Sequence, residues 1–240
     1  MSLSVIIPVK NEEKNITNTC KKLKFKLAKA NIDFEIIIID DFSEDKTIYT
    51  IKKIKNRNIH LYKNIKLGVG NAIKLGILKS TKKYICFFMS DESDYVSDLV
   101  NYYMLISKNN YDAIFGSRFL SESKIENYPI IKFILNRIFN KFVQLIFFSS
   151  YNDFTNAFKI YNKKKILKIF PFESKKFDIF LEIPLKFYIK KYNFKIIPIC
   201  WKGRKKGLSK FIIKELSLNY IKILIKCVRL YYLSNKRFYN

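Results

Sequence analysis

Ile36-Ile37-Ile38-Ile39-Asp40-Asp41-Phe42-Ser43-Glu44-Asp45-Lys46-Thr47 decides how this chain is read. Four consecutive β-branched residues read as a strand buried on both faces, as in a parallel sheet. Two carboxylates sit at its carboxyl end, and Ser43 can cap the helix that follows. In open α/β sheets, ligands bind in the crevice beyond the carboxyl ends of the strands. There, Asp40 and Asp41 can accept hydrogen bonds from a nucleobase and a ribose. Taken alone, the segment would suit a solvated acidic turn equally well.

The neighbouring sequence repeats the pattern. Strands over 3–9, 34–40, 59–63, 83–89 and 111–116 alternate with helices over 12–30, 44–55, 69–80 and 96–108. This order predicts an α/β fold with a doubly wound, mostly parallel sheet. In helix 12–30, Ile16, Cys20, Leu23, Leu27 and Ala30 fall on one face at helical spacing. The opening segment Leu3–Val9 reads as a strand rather than a signal peptide. No segment reaches the roughly 18 uninterrupted apolar residues that a membrane span needs. A hydrophobic content of 49% supplies a core and excludes a disordered chain. Cys20, Cys86, Cys200 and Cys227 lack metal-ligand or disulfide spacing and read as thiols in a reducing compartment.

Charge divides the chain. Residues 1–120 hold 20 basic against 13 acidic residues, a net +7, whereas residues 121–240 hold 26 against 7, a net +19. A low-GC codon bias would raise lysine everywhere, but it does not explain the loss of acidic residues after 120. The second half therefore reads as a basic, aromatic-rich surface suited to an anionic membrane or to nucleic acid. Segment 130–148 confines Lys132, Asn136, Arg137, Asn140, Lys141 and Gln144 to one stripe, with apolar residues over the rest. Such a helix lies in a membrane interface or deep in a core. Helix 178–192 and strand 195–200 then lead to the basic loop Lys202–Lys210. A helix over about 211–233 carries Lys222, Lys226 and Arg229 on one stripe and reads as surface-lying.

These residues carry a resemblance. The chain resembles the family 2 glycosyltransferases of the GT-A, Rossmann-like fold, and within them the polyprenyl-phosphate sugar transferases related to dolichol-phosphate mannose synthase. Val5-Ile6-Ile7-Pro8-Val9-Lys10-Asn11-Glu12-Glu13 is similar to the family's first strand and loop, and Asp40–Thr47 to its second. Gly68-Val69-Gly70-Asn71-Ala72 is similar to its glycine turn. Phe115–Phe119, Asp153–Lys159, Glu182, Trp201 and Arg204–Lys210 follow in the family's order. One position departs: where the family has Asp-x-Asp, this chain has Met89-Ser90-Asp91, with Asp94 close behind.

The resemblance implies a GT-A domain over 1–210, with a nucleotide-sugar half (1–120) and an acceptor half (121–210). Residues 211–240 would form an amphipathic membrane-surface helix. It also implies an inverting transfer from a nucleotide sugar to a membrane lipid, of which polyprenyl phosphate is the first candidate. Pro8, Val9, Asn11, Glu12, Asp40, Asp41, Gly70 and Asn71 would bind the donor nucleotide. Asp91, with Asp94 or Glu92, would hold Mg²⁺ or Mn²⁺, since Mg²⁺ commonly uses one or two carboxylates plus substrate phosphates. Arg118 and Arg204 would stabilise charge in the reaction, and Arg204, Ser209 and Lys210 would bind the acceptor phosphate. Asp153 and Asn156 would support the site, Glu182 would orient the arginine loop from a buried position, and Trp201 would pack. His60 lies in an ordinary strand and reads as structural. The protein would work peripherally on the cytoplasmic face of a membrane. One alternative is transfer to a saccharide hydroxyl in surface-polysaccharide synthesis, which needs a carboxylate base such as Asp153. Another is a non-catalytic membrane module, to which Met89 lends weight. An acidic cleft and the lack of a nucleic-acid motif argue against nucleic acid as a partner.

Overall fold

The computed structural model describes residues 2–204 and 213–236, with side chains of the last segment described from 218 to 234. The chain runs β1 (Ser2–Val9), α1 (Ile16–Lys29), β2 (Asp33–Asp40), α2 (Thr47–Lys52), β3 (Ile59–Lys63), α3 (Val69–Lys79), β4 (Tyr84–Phe87) and α4 (Val96–Lys108). It continues β5 (Ala113–Ser117), β6 (Lys124–Glu126), α5 (Ile130–Phe147), β7 (Lys159–Asn162), α6 (Lys163–Lys168), α7 (Ile179–Ile189), β8 (Phe194–Pro198), β9 (Cys200–Lys202) and α8 (Ile213–Lys236).

Seven strands form one sheet in the order β3-β2-β1-β4-β7-β5-β8, parallel except for β7, which runs antiparallel between β4 and β5. The isoleucine run explains the layers. Ile36 and Ile38 face a cluster with Val5, Ile7 and residues of α1 and α4. Ile37 and Ile39 face the opposite cluster, with Ile6, α3 and α7. Alternate side chains of a strand point to opposite faces, so a continuous apolar run buries both. The C-terminal helix, expected as a separate surface element, contributes Tyr220, Ile223, Leu224 and Cys227 to the second of these layers.

The topology locates the site. From β1 the chain winds one way to β2 and β3, then crosses to β4 on the other side of β1. That reversal opens a crevice beyond the carboxyl ends of β1 and β4, where such sheets bind ligands. In register, Pro8 lies opposite Ile39 and Val9 opposite Asp40, so the first and second loops leave the sheet side by side.

Several boundaries differ from expectation. The first helix starts at Ile16 rather than 12, after a turn in which the Asn15 amide donates to the Glu12 carbonyl at 3.0 Å. The second is confined to Thr47–Lys52. Strand 195–200 divides into β8 and β9, and β9 pairs with β6 in a small second sheet. β6, β7 and α6 were not expected.

Candidate active site

The first two loops are stitched together by Asn11, which the sequence assigns to the donor, and by Ser43 and Thr47, which it does not. The Asn11 amide donates to Ser43 Oγ at 3.0 Å, and the Glu44 amide donates to Asn11 Oδ1 at 2.8 Å. The Glu12 amide donates to Thr47 Oγ1 at 2.7 Å. Asn11 therefore holds the loops together and is absent from the cleft lining. The two aspartates also part company. Asp40 is buried and accepts from the Ser43 amide at 3.3 Å, capping its own loop. Asp41 lines the cleft with Pro8, Val9 and Glu12, its Oδ1 accepting from Asn64 Nδ2 and the Gly68 amide, each at 2.8 Å.

The glycine turn serves packing. Gly68 has φ +123°, and a Cβ there would stand 2.3 Å from the Lys175 carbonyl oxygen. The Gly70 amide donates to that same oxygen at 3.0 Å, and Asn71 Nδ2 donates to the Leu67 carbonyl at 3.0 Å. Gly70 and Asn71, expected to touch nucleotide, thus stand behind the cleft wall, while Gly68 and Val69 face it. Glu182 supports this wall. It is buried, as expected, and the loop it was expected to orient lies mostly outside the described residues. It accepts from the Glu173 amide at 3.0 Å and the Ser174 amide at 2.9 Å, and pairs with Lys186 at 2.7 Å. Burial works against its charge, yet Lys186 and the two amides bring its pKa below the ordinary value.

At the other lip, Asp91 Oδ1 accepts from the Ser93 amide (3.1 Å) and hydroxyl (2.7 Å). Its Oδ2 faces Arg204 Nη2 at 3.4 Å, and the same nitrogen donates to Glu12 Oε1 at 3.0 Å. Asp94 is buried beside them in the lining, and burial first, then the charge of Asp91, push its pKa up to about 8. A buried carboxylate held against a second one is a donor set that a hard divalent cation would relieve. The residues fit such an ion through Asp91 and Asp94. No cluster of three metal-ligating groups occurs among the described residues, so further ligands would come from substrate phosphates and water. Glu92, the other candidate, turns away with φ +61° and pairs with Lys22 at 2.9 Å.

Arg118, expected on a phosphate, lines the cleft and is already paired there. Its Nε and Nη2 donate to Asp153 Oδ2 and Oδ1 at 2.9 and 2.7 Å, and Nη1 donates to the Tyr128 hydroxyl at 3.2 Å. Burial opposes its charge, but Asp153 more than compensates and keeps it protonated. Trp201 packs on Tyr128, ring centroids 4.6 Å apart. Asn156 Nδ2 donates to the Gly116 carbonyl at 3.0 Å. Ser209 and Lys210 lie outside the described residues.

Helix α5 buries Asn140 beside Val143 and Phe147 and leaves several large apolar side chains facing outward. Asn140 is fully buried and its Nδ2 donates to Thr155 Oγ1 at 2.9 Å, while Asn136 Nδ2 donates to the Tyr128 hydroxyl at 3.0 Å. Outward, Ile138 is 62% and Phe142 54% exposed, and Phe148 just past the helix is 84% exposed. Ile138, Phe139 and Phe142 of α5 and Tyr220 and Ile221 of α8 also line the cleft, a space of about 860 Å³. One continuous surface thus joins the carboxylate end to an exposed apolar face. Lys10, Lys132 and Lys176 line it too and were not assigned to the site from the sequence. The i,i+4 pair Asn136 and Asn140 within an apolar helix is the signal that could have placed α5 against a polar partner.

The glycosyl transferase family 2 model matches residues 4–170. The chain is 31% identical over 187 residues to a dolichyl-phosphate beta-glucosyltransferase of Dictyostelium discoideum, covering 70% of this chain and 56% of that protein. It is 30% identical over 223 residues to the dolichyl-phosphate beta-glucosyltransferase of Saccharomyces cerevisiae, covering 83% and 66%. The chain thus spans between half and two thirds of the length of these curated relatives. Its fold resembles glucosyl-3-phosphoglycerate synthase from Mycobacterium tuberculosis in complex with phosphoglyceric acid. The TM-score is 0.72 at 13% identity, covering 95% of this chain and 80% of that one. A structure of that synthase with Mn²⁺, UDP-glucose and phosphoglyceric acid gives 0.71 at 12% identity, covering 95% and 79%. At such identity the likeness speaks for the fold alone. The central strands, the loops that carry Asp41 and Asp91, and the glycine turn all fall inside the matched region, and the chain belongs to glycosyl transferase family 2.

Proposed function

We propose that this protein is an inverting glycosyltransferase that moves a sugar from a nucleotide sugar to a polyprenyl phosphate at the cytoplasmic face of a membrane. The observation that carries the lipid acceptor is the continuity of the cleft with the exposed apolar faces of α5 and α8. The two dolichyl-phosphate transferases to which the chain is similar support the same acceptor class.

Asp41 and the Pro8–Glu12 loop hold the nucleoside part of the donor. Asp91 and Asp94 would hold Mg²⁺ or Mn²⁺, which when bound would neutralise the departing diphosphate. Arg204 adds a donor fork suited to phosphate. An acceptor phosphate oxygen attacks the sugar C1 from the face opposite the diphosphate. The new O–C1 bond forms as the bond to the diphosphate breaks, and configuration inverts. The acceptor is already an anion, so no strong general base is needed. A saccharide hydroxyl would need one, and Asp153, its candidate, is fully buried and paired with Arg118. No helix among the described residues is long and apolar enough to cross a membrane, which accords with peripheral attachment through α5 and α8.

The test is a panel of nucleotide sugars incubated with Mn²⁺ and a short-chain polyprenyl phosphate, the lipid product being followed by mass. A single donor should give a lipid-phosphate hexose. Donor hydrolysis with no glycolipid from any sugar would reject the lipid acceptor.

A further inference from the structure

Arg204 stands where two loops meet. Its Nη2 donates to Glu12 Oε1 at 3.0 Å and to Asp91 Oδ2 at 3.4 Å. Glu12 follows β1 and Asp91 follows β4, so one nitrogen bridges the two lips of the switch point. Each carboxylate is fixed from behind. Glu12 Oε2 accepts from Asn15 Nδ2 at 2.9 Å, and Asp91 Oδ1 accepts from the Ser93 amide and hydroxyl. Two carboxylate oxygens anchored by separate loops and aimed at one positive nitrogen make a bridging cation position, here filled by a guanidinium.

We propose that Arg204 is an internal counter-cation. It occupies the Glu12–Asp91 bridge in the metal-free protein, and once Asp91 and Asp94 held a divalent cation with the donor diphosphate, the guanidinium would leave the bridge for the acceptor phosphate. This rests on the metal assignment made under Proposed function and adds an order of events to it. Two like charges brought together in a partly dehydrated cleft repel each other, so the metal and the bridging arginine compete. By linkage, whatever weakens the arginine's hold strengthens the metal's, and conversely. Freed, the fork can engage a phosphate through two hydrogen bonds. The acceptor would then be gripped only once donor and metal are seated, which guards against futile acceptor binding.

The experiment measures Mn²⁺ binding to the full-length protein by electron paramagnetic resonance, with neither nucleotide nor lipid present. Arg204→Gln should bind Mn²⁺ about tenfold more tightly than wild type, or about 1.4 kcal/mol. Arg204→Lys, which keeps the charge, should stay near wild type. Asp91→Asn should bind weakly both alone and combined with Arg204→Gln. In the wild-type protein, Mg²⁺ should also shift the Arg204 Nε–H resonance, identified by its loss in Arg204→Gln. Unchanged or weaker Mn²⁺ binding by Arg204→Gln, or an unmoved resonance at saturating Mg²⁺, overturns the competition. If glycolipid still forms in the donor panel, the proposed function survives that failure. Full Mn²⁺ binding by Asp91→Asn would instead remove the metal site itself, and the competition with it.

Discussion

Arg118 and Asp153 form a two-pronged, largely buried ion pair at the cleft wall, with Asp153 fully buried and the Arg118 amide also donating to its Oδ2 at 2.9 Å. Removing one member of such a pair strands the other's charge in the core, which costs about 3–5 kcal/mol. Asp153→Asn is therefore expected to lower stability by that amount in denaturant titration. The double change Arg118→Met with Asp153→Leu should recover much of the loss. Asp153→Asn with an unchanged midpoint and no turnover would mean that Asp153 works as a base, and would revive the hydroxyl acceptor.

Glu182 ties the wall behind the donor site to pH. Its folded pKa lies below the ordinary 4.5, so the stability it contributes is fully present above that value. That contribution is lost as pH falls through the folded pKa. Hydrogen bonds to a charged group contribute about 1.5–3 kcal/mol, which sets the penalty expected for Glu182→Gln at pH 7. Melting curves of the two proteins should converge as the pH is lowered through the carboxylate range. A gap that stays constant down to pH 3 would show that the charge of Glu182 does not matter.

Most of the sheet was legible, because long apolar runs between turn residues leave few alternatives. β7 was not, since four residues with a lysine at the start show no period. Its antiparallel place depends on β4 and β5, which are distant in sequence. The aspartate pair was legible as a site, but not its division of labour. Asp40 is the last residue in register with β1 and turns to its own loop, while Asp41 is the first residue free to face the cleft. For Glu182 the burial could be read and Lys186 stands at i,i+4, but its other partners could not be: they are two amides of an irregular loop eight and nine residues earlier. On α5 the polar stripe was visible, but which way it faced depended on Thr155 and Tyr128.

Asp91 is where chemistry and fold separate most cleanly. An asparagine there keeps an oxygen for the Ser93 amide and hydroxyl while losing the charge that a metal requires. Asp91→Asn should melt like wild type and lose at least about 10²–10³ in kcat, the scale of removing one electrostatic stabiliser. Asp94→Asn should weaken the metal dependence and leave residual turnover. Near-normal turnover in the Asp91 variant would take the metal away from this residue.

The exposed side of α5 makes the membrane reading quantitative. Burying Ile138 or Phe142 in the acyl boundary is worth about 1.5–3 kcal/mol each, an amount that salt does not screen. Lys or Arg near an anionic surface adds about 1 kcal/mol apiece, and this part falls off within a Debye length. The full-length protein should therefore float with anionic vesicles at low salt, and high salt should release only part of it. Ile138→Asp combined with Phe142→Asp should make the binding fully salt-releasable. These side chains point away from the Asn140–Thr155 contact, so folding should survive the change. Activity on a short soluble acceptor should be kept better than activity on a membrane-embedded one. If the wild-type protein fails to float with anionic vesicles at low salt, the apolar face is covered by something other than lipid. The lipid-acceptor reading would then lose the observation that carries it.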